Sequence, residues 1–290
     1  MFLRSRYAPL LTHGALLVLS ASMWGLLWFT PLWLMFIPGT LLAHRIGILL
    51  HEYLHGIPFR NYRSNLAVYG FFDGTMLMFG LMELFRGTHL THHRWLNAPG
   101  DNAARPSKTT PRHALFNLLI SNEAVQHLLF LWEAIRGRQA IVRLSRVASG
   151  AAFSTICILG LLQLGRGDVV LKLIAVNFFT VLIPVSLRGA IEHHGPAGAT
   201  GFANEYHTWI PLFNLNRHIH HHEDMHCPWY LLQYRSANPL AAWNYFTYWY
   251  HVYVSHDYVL MRPMSAQDLT QSAPDHSSEN AANSNNVNPA

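Results

Sequence analysis

Residues 9–30 carry no formal charge, and an apolar run of that length crosses a hydrocarbon core of about 30 Å as a single helix. Wherever such a chain meets lipid its backbone must satisfy its own N–H and C=O groups, which restricts it to helices or closed barrels. Pro31 breaks the first run, and residues 31–50 form a second. Two more follow at 148–164 and 169–187, joined by a GRGD turn. Charged residues make up only 12% of the 290-residue chain, where a soluble domain carries about 25%. Nine Trp, twelve Tyr and sixteen Phe suit membrane interfaces, where a ring keeps one edge wet. The predicted fold is therefore an all-α membrane protein with four transmembrane helices in two hairpins. A helical cap over 51–147 and 188–263 completes a single membrane-embedded domain, 1–263.

Basic residues give the orientation. Arg4 and Arg6 precede the first span, Arg45, Arg60 and Arg63 end or follow the second, and the turn between the two spans has none. Arg136, Arg138, Arg143 and Arg146 lie before the third span, and Arg188 follows the fourth. By the positive-inside rule the termini and the cap are cytoplasmic. The net charge of +5 thus marks topology, and no nucleic-acid partner is expected. Arg4 and Arg6 ahead of an apolar run imitate a signal peptide, but the run continues past Ala21 and is expected to stay as a span. Residues 66–84 are apolar yet contain Asp73, Glu83 and three glycines, so an interfacial or protein-covered helix is expected there, not a crossing. An amphipathic surface helix is expected at 114–135, an interfacial one in the Trp- and Tyr-rich stretch past Leu232, and a disordered tail at 264–290. Cys157 and Cys227 are too few for a disulfide framework.

Histidines carry the chemistry. His218, His221 and His222 stand at i, i+3 and i+4, so on a helix their imidazoles leave one face and can converge on one metal ion. His89, His92 and His93 repeat that spacing, and His51 and His55 give a two-residue version at i and i+4. His193 follows the fourth apolar run and adds a ninth nitrogen. A single pair of this kind is commonly surface or core furniture, whereas three clusters at the ends of apolar segments are not. Imidazole suits several transition metals, so ligand type does not name the ion. Nine nitrogens match two ions with open positions, an arrangement that binds and activates a small molecule such as dioxygen. His220 falls on the opposite helix face, and His194, His207 and His226 have no assigned role.

HEYLHG at 51–56, HLTHHRWLNAPGD at 89–101, RGAIEH at 188–193 and NRHIHHHEDMHCPWYLL at 216–232, in that order and with apolar hairpins between them, resemble the integral-membrane fatty acid desaturase and hydroxylase superfamily. The resemblance implies two non-haem irons held by His51, His55, His89, His92, His93, His193, His218, His221 and His222. Glu192 would orient a ligand imidazole, and Asn214 and Asn216 would hold a metal-bound water. It further implies a lipid or acyl substrate and a double bond formed with O2. Electrons would come from an external ferredoxin-, rubredoxin- or cytochrome b5-like carrier; the arginines of the basic run read as topology signals in preference to a docking face for such an acidic protein. A bacterial-type inner membrane is the expected location. A lipid hydroxylase or a carotenoid ketolase or hydroxylase would use the same ligands. HEYLH also spells the H-E-x-x-H of zinc metalloproteases, with Glu52 as general base, but that reading leaves the two H-x-x-H-H clusters unexplained. A metal-transport protein would place its ligands at mid-bilayer depth, whereas these lie at helix ends.

Overall fold

The computed structural model describes residues 9–96, 140–185, 188, 192, 212–232 and 250. Among them the elements are helical and no strand occurs. Helices α1 (Pro9–Phe29) and α2 (Leu32–Leu54) form one hairpin about Pro31, and α3 (Tyr62–Thr75) and α4 (Leu81–Trp95) follow. A second long hairpin pairs α5 (Ala140–Gln163) with α6 (Gly167–Thr180), which continues as a π-helical turn over Val181–Val185. Two short helices follow, α7 (His218–Glu223), which carries the last histidine cluster, and α8 (Trp229–Leu232).

Pro9–Phe29, Leu32–Leu54, Leu144–Gln163 and Gly167–Val185 are each long and apolar enough to cross a membrane. Between 11% and 44% of the residues in the most apolar window of each span are buried inside the protein. Leu16, Met23 and Leu27 of α1 pack with Met35, Ile46, Leu49 and Tyr53 of α2 and with Val169, Leu173 and Val176 of α6 in the main core. Trp33, Ile37, Ile156, Leu171 and Phe178 project outward.

At the end of the bundle remote from the histidines, cations stop α1. The Lys172 ammonium donates to the Leu27 carbonyl at 3.0 Å and to Asp168 at 2.8 Å. The Arg166 guanidinium donates to the Trp28 carbonyl at 2.8 Å and lies 4.0 Å from the Trp28 ring centroid. Carbonyls that a helix end leaves without intrahelical donors are thereby satisfied.

The spans differ from the sequence expectation chiefly at their ends on the histidine side. α2 runs on to Leu54, so His51 lies on the helix itself, and α5 begins at Ala140. The single helix expected over 66–84 is corrected to two, because the backbone breaks at 76–80 with positive φ at Leu77, Phe79 and Gly80. The Asp73 carboxylate holds this break by accepting from the Gly80 N–H at 2.7 Å and the Met82 N–H at 3.0 Å, which caps α4. Ser154 of α5 accepts the Phe79 N–H at 3.1 Å, and the Asn177 side chain of α6 donates to the Met76 carbonyl. Ser154 and Asn177 both belong to membrane spans, so α3 and α4 form a re-entrant hairpin whose tip lies between α5 and α6. Irregular backbone survives at that depth only when protein supplies its hydrogen bonds, and here it does. A Cβ on Gly80 would come within 2.8 Å of the Val147 Cα, so α5 closes against the tip backbone to backbone. Because the hairpin turns back, α4 returns His89 to the end of the bundle where His51 emerges.

The expected helices at 114–135 and past Leu232, the tail at 264–290, and His193, His194 and His207 lie outside the described residues.

Candidate metal centre

Three segments deliver the imidazoles. His51 and His55 occupy the last turn and the C-cap of α2, His89, His92 and His93 the last turns of α4, and His218, His221 and His222 half of the six positions of α7. The i, i+3, i+4 spacing puts each set on one helix face, and packing turns the faces toward one another. His51 Nε2 is 2.6 Å from His89 Nε2 and 3.2 Å from His55 Nε2. His93 Nε2 is 2.9 Å from His89 Nε2 and 3.1 Å from His221 Nε2. The ligand atoms of His51, His55, His89, His93 and His221 all lie within 4.8 Å of one another.

These separations test the fit to a metal. Metal–imidazole bonds of about 2.0–2.1 Å place neighbouring ligand nitrogens about 2.9 Å apart in an octahedron and about 3.4 Å apart in a tetrahedron. The observed values fall at or just below that range. Hydrogen bonding alone does not account for them, since each neutral imidazole has one N–H and five rings turn Nε2 toward one point. Burial pushes His55 down to about 3, and it holds His89, His93 and His221 well below the ordinary imidazole value. Neighbouring imidazoles reinforce the shift, because charging one would place it beside others. The group is thus neutral, with its lone pairs converging, as ligation requires.

Beside this group lies a second. His222 Nε2 is 3.0 Å from His218 Nε2, the His222 ring stacks on His93 at 4.2 Å between centroids, and His92 meets His222 at 5.0 Å. His92 and His218 are buried, at 3% and 2% exposure. Buried Glu192 pairs with the Arg188 guanidinium and brings its other oxygen to 3.6 Å from His218 Nε2. That nitrogen is also the one facing His222, which sets the carboxylate beside the imidazole nitrogens of this second group.

Other nominated residues sit farther out. The Asn214 amide donates to the Trp229 carbonyl at 3.0 Å, and Asn216 is half-buried on the turn into α7. His220 meets Glu223 at 2.9 Å on the other face of α7, and His226 is exposed. Spacing did not reveal the contacts made by Glu52. Its carboxylate, on α2 between His51 and His55, accepts from the Thr12 hydroxyl at 2.7 Å and from the Trp229 N–H. An acidic residue inside a histidine pair was the only hint in the sequence, and neither partner carried one.

Residues 28–254 match the family model described as fatty acid desaturase. No curated protein and no solved structure matches the chain. The match takes in all three histidine clusters and extends over well more than half of the chain. It joins the buried imidazole group to an integral membrane oxidoreductase of the desaturase and hydroxylase type, acting on lipid chains. By its histidine-bearing helix ends and by this match, the chain belongs to the fatty acid desaturase family.

Proposed function

We propose that the protein is an O2-dependent, di-iron desaturase that introduces a C=C bond into a fatty acyl chain. The observation that carries this reading is the meeting of imidazoles from α2, α4 and α7 within 4.8 Å at one end of the bundle. His51, His55, His89, His93 and His221 would hold one iron. His92, His218 and His222 would hold the other, with Glu192 beside them and His193 as the remaining candidate. When bound, the irons supply the redox chemistry that activates O2 and removes hydrogen from an unactivated C–H bond. The net change takes two hydrogens from adjacent methylenes, and with two electrons and two protons from outside it converts O2 to two waters.

The chain's own residues set up that chemistry. Their neutral imidazoles donate lone pairs, and their burial excludes bulk water from the reacting carbon. A water-sized cavity touching both His51 and His221 is lined by Ile48, Ile57, Leu215 and Leu232 together with Glu52 and Trp229. The basic residues at the histidine end support a cytoplasmic position for that end, where a soluble ferredoxin- or rubredoxin-like carrier would reach it. We read 1–263 as one membrane-embedded unit and 264–290 as a tail outside it.

The test is to express the wild type, His221→Ala and His92→Ala in a host lacking its own desaturase and to profile lipids by mass spectrometry. A new double bond is expected only with the wild type. A wild type that forms none, given a competent electron donor, overturns the reading, and a hydroxylated product in its place assigns the hydroxylase branch.

A further inference from the structure

Helices α7 and α8 have six and four residues, too few to hold themselves in water or at a membrane surface. Their position therefore comes from what grips the segment. Leu212, Leu215, Cys227 and Leu232 pack on Ile48 of α2. The second grip converges on Trp229. Its N–H donates to one oxygen of Glu52, and its indole Nε1 donates to the Thr12 hydroxyl at 3.1 Å. The Thr12 hydroxyl in turn donates to the other Glu52 oxygen at 2.7 Å. The Trp229 carbonyl accepts from Asn214, and its ring meets Phe213 edge-on at 5.0 Å. Phe213 and Asn214 both adopt positive φ immediately before α7, so the turn that aims α7 is tied to the same tryptophan.

We propose that Glu52, with Thr12 and Trp229, is a positioning residue. It clasps the segment 212–232 to α1 and α2 and thereby holds His218, His221 and His222 against the histidines of α2 and α4. Each Glu52 oxygen accepts one hydrogen bond in this clasp, one from α1 and one from the backbone of the 212–232 segment. Helix α1, which contributes no histidine to the cluster, thus takes part in assembling it. The clasp stands on geometry alone, and only its effect on iron retention rests on the di-iron reading.

Hydrogen exchange on the full-length protein in nanodiscs, without added metal, tests it. Glu52→Ala is expected to speed exchange across 212–232 by roughly tenfold or more, as loss of a buried acceptor implies, and to leave α5 and α6 unchanged. In Glu52→Gln the side-chain amide keeps an acceptor for the Trp229 N–H and a donor for Thr12, so exchange stays within about threefold of wild type. Trp229→Phe, which loses the Nε1 donor and part of the ring but keeps the backbone N–H, falls between the two. Iron per chain after reconstitution follows the same order.

Unchanged exchange over 212–232 in Glu52→Ala, or an equal rise everywhere in the protein, overturns the clasp. So does Glu52→Gln behaving like Glu52→Ala, since charge and not geometry would then govern. If Glu52→Ala fails to fold, Thr12→Val removes one anchor and carries the same comparison. A wild type that keeps no iron while the exchange pattern appears as expected rejects the di-iron reading and upholds the clasp.

Discussion

His51 and His89 are 38 positions apart, and their Nε2 atoms stand 2.6 Å from each other. The contact exists because α2 carries His51 to its last turn while the α3–α4 hairpin enters the bundle and returns. Every other imidazole in the group is arranged about that pair.

Removing a member of the pair should remove metal. Substituting an outer partner of a ligand typically costs 10–100-fold in metal affinity, so His89→Ala, which on the di-iron reading deletes a ligand, is expected to cost more than about 100-fold. Chelator competition with elemental analysis checks this. His226→Ala, at an exposed position, should stay near wild type.

Acid should destabilise the apo-protein. The folded-state values of His55, His89, His93 and His221 are lowered, so the unfolded chain takes up protons first as pH falls below the ordinary imidazole value of about 6.5. Stability is fully present above that pH and is lost as pH falls toward the folded values. The slope is up to about 1.4 kcal/mol per pH unit for each histidine that stays neutral. Thermal unfolding of the metal-free protein between neutral pH and pH 5 measures it, and His93→Phe should flatten the curve. A flat wild-type profile would contradict the burial of these imidazoles.

The re-entrant tip should be sensitive to its carboxylate. Asp73→Ala leaves the Gly80 and Met82 amides without an acceptor at membrane depth, an expected loss of about 2 kcal/mol or more. Asp73→Asn keeps one acceptor oxygen and should lose less. Chemical or thermal unfolding in detergent ranks the three proteins. Because the tip positions α4, Asp73→Ala should also lower iron retention.

Backbone geometry at the same turn gives a further prediction. Gly80 has φ of +85° and faces the Val147 backbone, so Gly80→Ala meets both a strained conformation and a steric clash. A loss of about 2 kcal/mol or more is expected, against little effect at Gly87, where an added Cβ meets nothing. Equal unfolding temperatures for the two alanine variants would refute the close approach of α5 to the tip.

Glu192→Gln separates two roles for that side chain. A carboxylate standing beside the imidazole nitrogens of the second group should lower occupancy of the second metal position when neutralised, leaving the five-histidine group loaded. Iron stoichiometry near one per chain is the expected result, and an unchanged stoichiometry assigns Glu192 to its ion pair with Arg188 alone.

Local properties of the chain were enough for the spans and the histidine clusters. A charge-free run such as 9–30 has one outcome in lipid, and H-x-x-H-H on a helix has one face, so the four spans and three histidine clusters follow from composition and spacing. Contacts between distant segments were not local. Asp73 reads as a flaw in an apolar run until Ser154 and Asn177, from two other spans, show that it caps a helix inside the bundle. Glu52 has a role in the sequence only within the metalloprotease alternative, whereas the structure shows it accepting from Thr12 and from the Trp229 N–H. Periodicity reports which face of a helix is apolar, whereas a hydrogen bond between residues 12 and 229 depends on how the helices pack. Only the tertiary structure decides that.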